Sequence, residues 1–99
     1  MKKSMIGKQV IVRSNMAGVF FGTLISKEGN EVTLENARKL YKWSGANTIE
    51  DIADKGVNNP EDCKFTVVVK EITIFDVCQI IPCTANAIKN IKSVKEWKN

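Results

Sequence analysis

The sequence predicts one α+β domain over residues 1–99: a small, mostly antiparallel sheet or partly closed barrel with two short helices, in the order β-β-β-α-β-β-α. Three observations predict it. The front half is a series of β-branched and aromatic runs separated by short turns. Two later segments space their apolar residues three and four apart and begin at capping residues. A chain of 99 residues with 43% hydrophobic and 26% charged residues suits one core rather than several, and is not the composition of a disordered segment.

"QVIVRSN" reads as the first strand, and "MAG" at 16–18 as a turn in which Gly18 supplies a positive φ. "VFFGTLISK" follows with Phe20 and Leu24 on one face and Phe21, Thr23 and Ile25 on the other. Apolar residues on both faces predict a strand covered on two sides. Gly22 in its middle marks a bulge or a close approach of backbones.

Gly29-Asn30 is a hairpin dipeptide. In the strand after it, "EVTLENARKLYKW", Val32 and Leu34 share one parity while Tyr41 and Trp43 lie on the other. A period-2 pattern that changes sides requires a bulge, a sharp bend or a second apolar surface.

Asn47 or Thr48 caps a short helix whose stripe is Ile49, Ile52 and Ala53, with Glu50 or Asp51 in the capping-box pattern and Gly56 at its end. "NNPEDC" is a loop. "KFTVVVKEITIF" is a pair of strands or one long one, with a break expected at Lys70-Glu71, and "DVCQIIPC" is a further strand stopped by Pro82. The tail "TANAIKNIKSVKEWKN" reads as a helix capped by Thr84. Ala87, Ile88, Ile91 and Val94 line one face, and Lys89, Lys92, Lys95 and Lys98 drift around the opposite side, read first as a solvated face with a phosphate-binding stripe as the alternative.

Composition narrows the function. The chain has no histidine, so Cys-His and Ser-His mechanisms are excluded. Cys63, Cys78 and Cys83 have no zinc-ligand spacing, so the expectation is three reduced, mostly buried thiols, no metal and no cofactor. No glycine-rich phosphate cradle is present, and the acidic residues carry no D-x-D-like spacing; the expectation is a protein that is not an enzyme. The net charge of +4 favours anionic partners. Only two of the fifteen basic residues are arginines, Arg13 and Arg38, which argues against a duplex-DNA reader. No apolar run is long enough to span a bilayer, and "MKKSMIGKQVIV" lacks the apolar core of a signal peptide, so the expected setting is cytoplasmic.

The candidate site is "ENARKLYKWSGAN". Tyr41 and Trp43 offer base-stacking surfaces, Arg38 a fork for phosphate, and Ser44-Gly45 backbone donors. Because Arg38 is on the parity opposite the rings, a bulge or a second subunit has to bring them together. The competing reading makes the rings core or interface and pairs Arg38 with a residue such as Glu35. Arg13, Ser14 and Asn15 form a second candidate, an anion-binding loop or a well-satisfied turn.

"IVRSNMAGVFFGTL", "NARKLYKWSGA", "NPEDCKF" and the closing Thr84, Ala87, Ile91, Val94 and Trp97 resemble a family of small phage-encoded proteins of long-uncharacterised function. The likeness covers nearly the whole chain. It implies a phage or prophage origin and the host cytoplasm. Small phage proteins without an enzyme's residues often counter host defence, some by sequestering nucleotide messengers as oligomers. The expectation is thus a homo-oligomer that binds a small anionic nucleotide-like ligand, with a protein-binding inhibitor of a host factor or a single-stranded nucleic-acid module as alternatives.

Overall fold

The computed structural model describes residues 5–98; the "MKKS" stretch on which part of the leader reading rests lies outside them. The chain is α+β, with strands β1 (Gln9–Ser14), β2 (Gly18–Glu28), β3 (Glu31–Lys42), β4 (Lys64–Phe65), β5 (Val69–Ile74) and β6 (Val77–Pro82) and helices α1 (Ile49–Lys55) and α2 (Ala85–Ser93). A 3₁₀ turn at Pro60–Asp62 starts on its proline, which already has the required φ.

All strand ladders are antiparallel. The order is β4-β3-β2-β1-β6, and β5 lies on the same edge of β3 as β4, pairing with its first half. Phe75 and Asp76 alone connect β5 to β6, yet no ladder joins these two strands among the described residues. The sheet therefore curls without closing into a barrel.

The curl creates two cores. Val10, Val12, Phe20, Leu24, Val32, Leu34, Ala37, Ile74 and Val77 fill the concave side. Ile11, Phe21 and Leu40 point the other way, onto Ile49, Ile52, Ala53, Ala87 and Ile91 of the helices and onto Phe65 and Val94. The side chains of β1 and β2 are thus buried on both faces, as their unbroken apolar runs predict. Each such Leu, Ile or Phe contributes ~1.5–3 kcal/mol through burial.

The expected change of side falls within β3. Glu35 pairs with Thr23 and Arg38 with Phe21, so Gly22 alone faces Asn36 and Ala37. Asn36 takes a φ of 51°, the left-handed conformation of a bulge. Only glycine fits opposite: a Cβ on Gly22 would lie 2.9 Å from Ala37 Cβ and 3.2 Å from the Glu35 carbonyl. After this bulge, residues of the Val32–Leu34 parity face the helices instead of the concave core.

Both helix starts follow the sequence. Thr48 Oγ1 accepts from Asp51 N, Thr84 Oγ1 accepts from Ala87 N, and Gly56 ends α1 at a φ of 81°. Two expectations are corrected. The break in "KFTVVVKEITIF" falls at residues 66–68, not at Lys70-Glu71, because β3 has two partners in succession and the chain must step from one to the other. The final helix ends at Ser93, so Lys95, Trp97 and Lys98 belong to an extended tail. That tail bridges Glu96 to Phe65 in parallel and donates Trp97 N to the Phe65 carbonyl at 2.8 Å.

Candidate functional site

The bulge decides the role of Arg38. It carries the side chain to the helix side, where it is only 3% exposed. Nε donates to the Thr66 carbonyl at 3.0 Å, Nη1 to those of Ile91 at 3.0 Å and Val94 at 2.8 Å, and Nη2 to that of Phe65 at 3.4 Å. The guanidinium also lies 5.4 Å from the Phe65 ring centroid. Burial pulls its pKa down, and the charge of Glu96 offsets part of that. The expected phosphate fork is therefore committed to the protein: it caps the carbonyl end of α2 and ties the tail to β3 and β4. The alternative Glu35 pair is not formed either, as Glu35 is an exposed residue opposite Thr23.

The second candidate is a satisfied turn. Ser14 is buried, donating to the Phe75 carbonyl at 2.7 Å and accepting from Ala17 N at 3.2 Å. Asn15 Oδ1 accepts from the Cys78 thiol at 3.7 Å. Arg13 is exposed and pairs in register with Gln79, whose amide donates to Glu50 at 2.9 Å. That hydrogen bond chiefly, with a smaller contribution from Arg13, holds the Glu50 carboxyl below its ordinary value. Arg13 thus already has a carboxylate nearby.

The loop after β3 is also tied down. Trp43 packs half-buried against the helix-side core. Ser44 N donates to Cys63 Sγ at 3.4 Å, and Ser44 Oγ accepts from Asn59 Nδ2 at 3.2 Å. Gly45 has a φ of 86° and accepts from Asn58 N at 3.2 Å; a Cβ there would lie 2.6 Å from that nitrogen. So Trp43 packs against the core, and the Ser44 amide is already engaged by the Cys63 sulfur.

Tyr41 differs. The register runs from Leu40↔Phe65 to Lys42↔Lys64, which leaves Tyr41 as the unpaired residue of a second irregularity. It is 58% exposed, and its ring stacks on Trp97 with centroids 5.1 Å apart and planes 9° from parallel. Lys64 Nζ stands 5.0 Å from the Trp97 centroid. Two open clefts border Trp97 and share Glu61 and Cys63. One, of ≈ 460 Å³, is lined also by Lys95, Glu96 and Lys98, and the other, of ≈ 520 Å³, by Lys42, Ser44, Asp62 and Lys64. An exposed aromatic stack with ammonium groups beside it can hold a flat ring and an anion.

Of the residues expected at the site, the structure brings Tyr41 and Ser44 to this end of the sheet and directs Arg13, Ser14, Asn15, Arg38, Trp43 and Gly45 elsewhere. Trp97, Lys42 and Lys64 were missed. The available signal was a tryptophan in the lysine-rich tail, three residues past Val94, the last residue of the apolar stripe read from the sequence.

The thiols sit apart from this chemistry. Burial raises the pKa of Cys63, and pushes that of Cys83 up to about 11; Cys78 is exposed. Among the described residues no group of three His, Cys, Asp or Glu side chains could hold a metal ion, and no helix is long and apolar enough to cross a membrane.

No curated protein and no solved structure matches the chain. A family model matches residues 7–91, leaving Trp97 just beyond the matched region. The chain belongs to the DUF6948 family, a domain of unknown function.

Proposed function

We propose that the protein binds a small anionic, nucleotide-like ligand without catalysis, as a phage accessory protein that sequesters this ligand in the host cytoplasm. The observation that supports the binding reading is the exposed Tyr41–Trp97 stack with Lys64 beside it. Stacking of a base on such a ring contributes ~1–3 kcal/mol, and lysines near it attract the charge. The phage setting and the anti-defence role rest on the sequence resemblance. A homo-oligomer belongs to the same reading, because the clefts beside Trp97 are open and a second subunit would enclose a ligand there.

The openness of these clefts favours a second reading, a single strand of nucleic acid laid across the same rings. One set of measurements separates them. Purified protein is denatured and the released small molecules are identified by mass spectrometry. In parallel, Trp97 fluorescence is followed in a Trp43→Phe background during titration with nucleotides and with an oligonucleotide at several salt concentrations. Retention of a nucleotide, or saturable quenching by one, supports sequestration; quenching only by the oligonucleotide, with a steep salt slope, supports the strand reading. No response to either, with capture of a host protein, overturns both in favour of an inhibitor.

A further inference from the structure

We propose that Lys42 and Lys64 form the phosphate-holding half of this site, so that the ligand is a nucleotide carrying one phosphate beside its base. The proposal rests on the reading just given and assigns the part of the ligand that rings cannot hold.

Lys42 lies directly opposite Lys64 in the β3–β4 ladder. Like charges placed opposite each other across a ladder repel. Both side chains line the cleft of ≈ 520 Å³ that Trp97 also borders. Glu61 and Asp62 line that cleft too, yet among the described residues neither ammonium has a carboxylate within ion-pair distance. A phosphate between the two lysines would remove their repulsion and accept from both.

Two further features fit. Lys64 Nζ already lies over the Trp97 ring, so one ammonium is held at the aromatic stack while the Tyr41 ring of that stack stays exposed to a base. Ser44 Oγ accepts from Asn59 Nδ2, leaving its own proton to donate into the cleft. Glu61 and Asp62 limit the negative charge the cleft tolerates. A single phosphate is therefore favoured over a triphosphate tail, whose further charges would meet these carboxylates.

The test uses the full chain with Trp43→Phe, alone and with Lys42→Gln, Lys64→Gln or both; Lys89→Gln on α2 is the control for net charge. Each is titrated with the four nucleoside monophosphates, the corresponding nucleosides, a nucleoside triphosphate and inorganic phosphate. Trp97 fluorescence and thermal shift are read together. The expected result is that a monophosphate binds at least about tenfold more tightly than its nucleoside and its triphosphate, the strength of a charge-assisted contact. The Lys42/Lys64 double variant loses that advantage and Lys89→Gln keeps it. Inorganic phosphate that stabilises the parent but not the double variant, with no quenching by any base, upholds the phosphate subsite and defeats the stacking reading. A nucleoside that binds as tightly as its monophosphate, an unchanged monophosphate affinity in the double variant, or no response to any phosphate overturns the proposal.

Discussion

Arg38 Nη1 lies 2.8 Å from the carbonyl oxygen of Val94, the first residue past α2, so a guanidinium on the third strand terminates the last helix. The same side chain reaches the carbonyls of Phe65, Thr66 and Ile91, and one residue thereby joins β3, β4, α2 and the tail. This places its importance in stability.

Arg38→Met is expected to cost roughly 2–4 kcal/mol, since a buried donor is lost and its acceptors are left short of partners. Arg38→Lys recovers only part, because an ammonium cannot span carbonyls on several elements. Urea denaturation measures both. A loss under about 0.5 kcal/mol, the size of an ordinary surface change, would deny Arg38 this joining role.

Gly22→Ala tests the bulge. Its Cβ would press on Ala37 Cβ at 2.9 Å and on the Glu35 carbonyl at 3.2 Å, between two laddered strands. The expected cost is ~1–3 kcal/mol, as for overpacking elsewhere. Equal or greater stability of the variant would show that the strands separate there without cost.

Tyr41→Ala should cost little stability, about 0.5–1.5 kcal/mol for an exposed stacked pair, while changing the emission of Trp97. Nucleotide affinity measured in the same variant should fall. Loss of folding on this substitution would place Tyr41 among the core residues.

Glu50 provides a pH-dependent contact between α1 and β6. Its carboxyl is held below the ordinary 4.5, first by the hydrogen bond from Gln79, so the contact is complete above that value and is lost as pH falls through the lower folded-state value. NMR titration of Gln79→Ala should move the Glu50 midpoint upward. A midpoint that stays in place would assign the shift to the helix backbone instead.

The thiols should alkylate in a fixed order. Cys78 is exposed and reacts first; the buried Cys63 and the half-buried Cys83, whose thiol pKa is pushed by burial up to about 11, both follow more slowly. Peptide mapping after timed iodoacetamide treatment reads this directly. Cys83 labelling as fast as Cys78 at neutral pH would contradict the burial described.

Much of the fold was legible locally. The two-sided burial of β1 and β2, the Gly29-Asn30 hairpin, the Thr48 and Thr84 caps and a change of side within β3 follow from residues a few positions apart, because side-chain period and capping chemistry act over one or two turns. The direction of Arg38 and the position of Trp97 were settled by tertiary structure alone. Asn36 reverses the face presented by every later residue of β3, and the carbonyls that receive Arg38 come from residues up to 56 positions away. Likewise, Trp97 meets Tyr41 only because the tail leaves its helix and runs along β4. Contacts between distant segments depend on how the chain returns to itself, and no local pattern of residues encodes that path.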